Sequence, residues 1–334
     1  MDKFVPKIKT KYKERRVISE EQLPRYSSML VKLELVHREK LESYSADRQR
    51  GRGDGSVKRT CLAYNDLFKV KEEKRPVRRV LVEGDAGIGK TTFSISVSEE
   101  WANGKHFQEF ELLLLIPLRE KKVASVDSLL GLLKLLHPSA SVCESVLKYI
   151  EEEGEEKVLI VADGWDEVDE SQQREESFLH KLFFKDSHLM SVLVTSRPSA
   201  SASLLRLPSI DRFVEIKGFN EEDITGFIKS EFPSKSDKEN RRYLLEQLED
   251  NQLIESVCTV PLNCTILCNL CRESKDPLPT TMTQLCTKII LHVIHRNMQK
   301  KGAHKHIKSL ATFDALPEEL LQLWWILCKL LLKH

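Results

Sequence analysis

An apolar run at Val80 to Val82 leads straight into Gly84-Asp85-Ala86-Gly87-Ile88-Gly89-Lys90-Thr91, which satisfies the phosphate-binding pattern G-x-x-x-x-G-K-[ST] at every required position. This stretch constrains the chain strongly, because the pattern works only as a strand, a tight loop and a helix start in that order. Gly84, Gly87 and Gly89 carry no Cβ, so the backbone is expected to turn with φ > 0 and to gather its N–H groups around a β-phosphate. Lys90 is placed to reach the β- and γ-phosphates and the Thr91 hydroxyl to ligate Mg²⁺. The helix that starts here aims the positive end of its dipole at the same anion. The whole run 84–92, with Asp85, Ala86, Ile88 and Thr92 included, is the candidate phosphate-binding segment. Ala86 stands where the dinucleotide fingerprint G-x-G-x-x-G needs glycine, so the spacing is not that fingerprint.

From residue 76 onward, strand and helix patterns alternate, which argues for an α/β fold built on a parallel sheet with helices on both faces. Strands are expected at residues 79–83, 112–118, 157–162, 191–195 and 212–216, with helices starting near Lys90, Val126, Val142 and Ser171. The strands are runs of Val, Leu and Ile, as strands buried on both faces require.

Two strand ends carry chemistry. Val158-Leu159-Ile160-Val161-Ala162-Asp163 puts a carboxylate at the C-terminal edge of the third strand, where Asp163 can hold Mg²⁺ through water. Asp166 and Glu167, just beyond, are candidates to orient or deprotonate an attacking water. The alternative is that they, with Asp169 and Glu170, cap and solvate the next helix. The fourth strand ends in Thr195-Ser196-Arg197-Pro198, and an Arg there points into the same crevice, where it can sense a γ-phosphate; a surface ion pair is the alternative.

Composition narrows the partners. The 334 residues carry 52 basic and 51 acidic side chains, a net charge of +1, which implies no nucleic-acid partner. The start, Asp2-Lys3-Phe4-Val5-Pro6-Lys7, lacks the apolar segment of a secretory signal, and the most apolar stretch, residues 320–332, is too short for a membrane span. Eight cysteines at irregular spacing then read as reduced thiols in the cytoplasm. Cys264, Cys268 and Cys271 fall on one helical face, with Cys258 before them and His292 and His295 after. That spacing reads as a packing stripe, with a metal site the alternative.

Before residue 76 the sequence suggests a basic, solvated N-terminal extension, with a localisation signal the alternative, a helix around residues 27–41 and a polar loop at residues 47–57. That loop contains Arg52-Gly53-Asp54, read as a chance occurrence of the adhesion tripeptide. After the sheet, Asn220 followed by Glu221, Glu222 and Asp223 marks a helix start. Further helical patterns cover residues 238–250, 262–273 and 282–299.

The ordered set Gly-Asp-Ala-Gly-Ile-Gly-Lys-Thr-Thr, Asp-Gly-Trp-Asp-Glu, Thr-Ser-Arg-Pro and Lys217-Gly218-Phe219 resembles the NACHT ATPase domain of NOD-like receptors, a branch of the STAND signalling ATPases. The resemblance covers about residues 60–334. It implies a three-layer P-loop NTPase sheet, a small all-helical domain and the start of a winged-helix domain. The boundaries are then 1–75 for a helical or linker segment, 76–219 for the nucleotide-binding domain, 220–310 for the helical domain and 311–334 for the winged-helix start. Carried over, Lys90 and Thr91 are the phosphate and magnesium residues, Asp163 and Glu167 the metal and hydrolytic acids, and Arg197 the sensor. Pro261 in Thr259-Val260-Pro261-Leu262 matches the proline that lies against adenine, although Thr259 stands where the family's G-x-P form has Gly. By residue logic alone Pro261 is a helix N1 residue.

The function implied is a nucleotide-dependent switch of innate-immune signalling, closed with ADP, open and self-associating with ATP, and reset by slow hydrolysis. The chain is expected to be a short form or fragment, because no leucine-rich repeats or death-fold effector domain are recognisable. An interaction module that co-assembles with related NACHT proteins, with an unknown adaptor downstream, is the second reading. A metabolic P-loop kinase or a GTPase is the third, and the lack of an N-K-x-D guanine-reading element argues against the GTPase.

Overall fold

The computed structural model describes residues 1–14, 32–36, 59–63, 66–69, 76–185 and 189–273, with a few single positions beyond, and divides the chain into two compact units, Met1–Gly218 and Phe219–His334. The expected helix at residues 282–299, the winged-helix start at 311–334 and the Arg52-Gly53-Asp54 loop lie outside the described residues.

The first unit is a seven-stranded sheet in the order β2-β1-β7-β3-β6-β5-β4. Its strands are β1 (Lys32–Val36), β2 (Arg59–Leu62), β3 (Arg79–Glu83), β4 (Leu112–Pro117), β5 (Val158–Asp163), β6 (Ser191–Ser196) and β7 (Arg212–Lys217). The five from β3 to β7 pair in parallel. They match the five expected strands to within one or two residues, because every position from β3 to β6 is buried, and continuous apolar runs can satisfy both faces only inside a two-sided sheet. β6 sits between the loop-bearing β3 and the acid-bearing β5, so the ends of three neighbouring strands converge on one edge.

Two expectations are overturned at the sheet's other side. The segment anticipated as a helix around residues 27–41 contains β1, which pairs antiparallel with β7 and with β2. Lys32-Leu33-Glu34-Leu35 alternates polar and apolar residues over a stretch too short to exclude a helix, and pairing with the edge of β7 selected the strand.

The N-terminus is likewise no solvated extension. Helix α1 (Phe4–Lys13) buries Phe4, Ile8 and Tyr12, which recur every four residues and so share one face. The Tyr12 hydroxyl donates to Leu113 O (3.3 Å) and accepts from Leu115 N (2.8 Å), which anchors α1 to the backbone of β4. The buried donor holds its proton tightly, and burial pushes the phenol well above the usual tyrosine range. Lys9 lies over the Trp101 ring at 4.7 Å, and Phe4 stacks on His137.

Helix α2 (Lys90–Ala102) is thereby covered on both sides, by the sheet and by α1. Ser94, Ser96 and Ser98 are buried in it, and each bonds a carbonyl of the preceding turn. Small polar side chains allow a close approach, and the back-bonds satisfy their hydroxyls without water.

The second unit opens with a full capping box: Asp223 N donates to Asn220 Oδ1 (2.9 Å) and Asn220 N to Asp223 Oδ2 (3.0 Å). Its described helices are Glu221–Glu231, Lys238–Asp250, Gln252–Cys258 and Pro261–Glu273. Their apolar faces enclose Ile224, Phe227, Ile228, Leu244, Ile254 and Leu267. Cys258, Cys264, Cys268 and Cys271 are buried free thiols in this core. Burial pushes Cys271 up to about 12, and hydrogen bonds with Cys258 and Cys268 raise Cys264 further. Among the described residues no cluster of His, Cys, Asp or Glu is arranged to hold a metal, and His292 and His295 lie outside them.

Candidate nucleotide site

The loop at residues 84–89 leaves β3 and enters α2 as the pattern requires, but its glycines are used for two different reasons. Gly87 and Gly89 adopt positive φ, 75° and 112°, which only glycine does without strain. Gly84, expected to do the same, does not. A Cβ there would stand 2.6 Å from Ile88 Cγ2, so the demand at position 84 is for space. Gly89 is also the helix N-cap, and no described group accepts from the amides of residues 89–92. These free donors at a positive dipole end form a ready anion site.

The Lys90 ammonium folds over this loop and donates to Gly84 O (2.7 Å) and Asp85 O (2.9 Å). Burial pushes it below the usual lysine range, while the charge of Asp166 pulls the other way, Arg197 adds to the depression, and Asp163 and Asp85 oppose it. Those influences are spatial: the loop lysine, both strand-end acids and the strand-end arginine occupy one neighbourhood.

Asp163, at the last position of β5, is buried, and its Oδ1 accepts from the Ser94 hydroxyl of α2 and the Thr195 hydroxyl of β6, each at 2.9 Å. Thr195 in turn accepts from Gly164 N (2.9 Å). Both supporting hydroxyls escaped the sequence reading. The available signals were a lone Thr near the end of an apolar strand and a Ser one turn after Lys90. The second oxygen, Asp163 Oδ2, receives no hydrogen bond from any described residue, so the carboxylate has one oxygen fixed and one available. A hydrated Mg²⁺ held by Asp163 and the Thr91 hydroxyl fits that donor set.

The chain then turns sharply at Gly164 (φ 88°) into a short 3-10 turn, Trp165–Glu167. Trp165 is buried and packs edge-on against His180, Phe183 and Phe184, which pins the turn to the helix Phe178–Phe184. The two acids that follow diverge. Glu167 is exposed. Asp166 is 8% exposed, its Oδ1 accepts the backbone N–H of Arg197 (3.0 Å) and its Oδ2 pairs with Arg197 Nε (2.9 Å), while the Arg197 side chain is 43% exposed. Neither acid caps the one-turn helix Glu170–Gln173.

The structure therefore brings Lys90 of the loop 84–92 (Gly84, Asp85, Ala86, Gly87, Ile88, Gly89, Lys90, Thr91 and Thr92) together with Asp163, Asp166 and Arg197, while Glu167 lies exposed on the same turn as Asp166, all in the first unit. Pro261 belongs to the second unit, where it opens the helix Pro261–Glu273, and Phe219 N bonds Thr259 O two residues before it (2.8 Å).

A glycine loop between a parallel strand and its helix, a neighbouring strand ending in a buried Asp, and a strand between them ending in Arg define a P-loop NTPase fold. Residues 78–235 match the NACHT domain family. Human NACHT, LRR and PYD domains-containing protein 12 is 28% identical over 258 residues, 71% of this chain and 24% of that protein. The zebrafish (Danio rerio) NACHT, LRR and PYD domains-containing protein 1 homolog is 26% identical over 278 residues, 78% of this chain and 20% of that protein. Rat (Rattus norvegicus) NACHT, LRR and PYD domains-containing protein 3 is 29% identical over 229 residues, 63% of this chain and 21% of that protein. The chain thus spans about a fifth to a quarter of the length of these curated relatives. Among the described residues, no helix is long and apolar enough to cross a membrane.

Proposed function

We propose that this protein is an ATP/ADP-operated switch of NOD-like innate-immune signalling, acting in the cytoplasm. The observation that carries the reading is the convergence of Lys90, Asp163, Asp166 and Arg197 around a loop with unused amides, because this set can distinguish a triphosphate from a diphosphate. Residues 84–92 hold the β-phosphate, Lys90 bridges to the γ-phosphate, and Arg197 reads the γ-phosphate. The Thr91 hydroxyl and Asp163 would hold a Mg²⁺, which would supply charge neutralisation to the phosphates. Glu167 is the acid for hydrolysis, since it is exposed while both Asp166 oxygens are engaged. It takes the proton of the attacking water as the new P–O bond forms at the γ-phosphorus and the bridging bond breaks, releasing ADP and inorganic phosphate. The reading also asks Pro261 to lie against the adenine.

A switch needs the two nucleotides to prefer different conformations, since equal affinity shifts nothing however tight it is. In this reading ADP favours a closed form, ATP an open form that self-associates or co-assembles with related NACHT proteins and an adaptor, and slow hydrolysis resets it. The test is to denature freshly purified protein and identify the released nucleotide by chromatography and mass. ADP near one per chain is expected. Guanine nucleotide, or fast phosphoryl transfer to a small-molecule acceptor, would overturn the switch.

A further inference from the structure

We infer that Asp166 works through Arg197, as a positioning residue that aims the γ-phosphate reader, and takes no proton from water. The inference rests on the nucleotide-switch reading above and deepens it. Its basis is the way the carboxylate is spent. Oδ1 accepts the main-chain N–H of residue 197 at 3.0 Å, and Oδ2 pairs with the Nε of the same residue at 2.9 Å. One carboxylate thus grips both the root and the neck of one side chain. Among the described residues it accepts a hydrogen bond from no other residue.

A general base needs a lone pair within hydrogen-bond reach of water, and a partner that does not compete for it. Asp166 is poorly suited to this, being 8% exposed along its side chain with each oxygen already paired with a donor of Arg197. A reader needs a fixed root and a reachable tip. Arg197 lies at the end of β6, has its backbone tied across to the 165–167 turn, and is still 43% exposed along its side chain. An unrestrained arginine surrenders rotamer entropy on meeting phosphate, and the grip on Nε removes part of that loss beforehand. The Trp165 anchor explains why the grip is firm. The indole is clamped by Phe183 and Phe184, so the neighbouring carboxylate cannot drift with its turn.

The carboxylate also balances charge. Without Asp166, Lys90 and Arg197 would face each other with the acid that most favours the Lys90 ammonium gone. The next acids, Asp163 and Asp85, act on Lys90 more weakly.

The experiment is a double-mutant cycle on the full chain, read as the ratio of affinities for a non-hydrolysable ATP analogue and for ADP, by calorimetry. Arg197→Ala should lower that ratio about tenfold, the loss of one charged contact. The isosteric Asp166→Asn should lower it in the same direction, and Asp166→Asn added to Arg197→Ala should lower it no further. ADP affinity should stay within about threefold in all four proteins, which separates lost aim from lost folding. Additive effects in the double variant, or an unchanged ratio in Asp166→Asn, would overturn the inference while leaving the switch in place. Turnover lost by the same factor with and without Arg197 would make Asp166 a base acting by itself. Wild-type protein that binds neither nucleotide would instead overturn the switch.

Discussion

The loop between β3 and α2 and the cluster at the ends of β5 and β6 face the same ligand by opposite means. In the loop the donors are main-chain amides, three of the six residues 84–89 carry no side chain, and what matters is φ at Gly87 and Gly89 and empty space at Gly84. In the cluster the working groups are side chains, each oriented by another: Asp163 by Ser94 and Thr195, Arg197 by Asp166, and the turn beneath by Trp165. A backbone cradle grips phosphate of any origin. A side-chain cluster, built from separate segments, can tell three phosphates from two. The difference teaches where variation is tolerated: the loop fails all at once, the cluster one property at a time.

Lys90→Ala should separate the two halves most sharply. It removes roughly 100-fold or more in affinity for ADP and ATP alike, because a charged contact to phosphate is lost. Wild type at about 100 times Kd gains roughly 2.7 kcal/mol from nucleotide that the variant should not. Equal thermal shifts would break the assignment.

On the cluster side, Glu167→Gln should slow hydrolysis by at least about 100-fold in single-turnover assays while nucleotide affinity and melting temperature hold. Undiminished turnover would move the hydrolytic role elsewhere.

Asp163→Ala should be the variant that costs both stability and function. It strands the buried Thr195 hydroxyl, while Ser94 falls back on the Lys90 carbonyl, at roughly 1–3 kcal/mol in denaturant unfolding, and it should abolish the Mg²⁺ dependence of nucleotide binding. Gly89→Ala tests the loop in return: about 1–2 kcal/mol of strain at a left-handed position, with nucleotide affinity lost in parallel. If affinity survives, the cradle is softer than its geometry implies.

The smallest effect lies beneath the cluster. His180 is packed against Trp165 and Phe184, its Nδ1 has no hydrogen-bond partner among the described residues, and burial holds the imidazole below its ordinary 6.5. On acidification the unfolded chain protonates first, so this contribution to stability is present above pH 6.5 and is lost as pH falls towards the lower folded value. His180→Phe should flatten part of the acid limb of a stability profile. A profile identical to wild type would show the imidazole to be more open than its packing indicates.

Some of this was legible because local chemistry had one solution. The glycine loop, the five buried strands and the Asn220 cap each encode their geometry within a few residues, and each stands where the sequence put it. The errors share a cause. The 32–36 segment is too short to declare its period, and the edge of β7 decided it. The Phe4, Ile8 and Tyr12 face was visible as a four-residue repeat, but among basic residues it looked solvated until α2 offered a surface. The pattern at position 84 specifies glycine without saying why, and the reason there is the space a Cβ would need, not a left-handed φ.

What the sequence determined by itself, then, is the order of strand, glycine loop and helix, and the acid and arginine at two later strand ends, since short-range sterics and hydrophobic runs suffice to specify them. Only the tertiary structure decided that β6 lies between β3 and β5, and so that Arg197 falls beside Asp166 and Thr195 beside Asp163. Strand order is a property of long-range packing, and no spacing along a chain records which side chains a crossover will bring face to face.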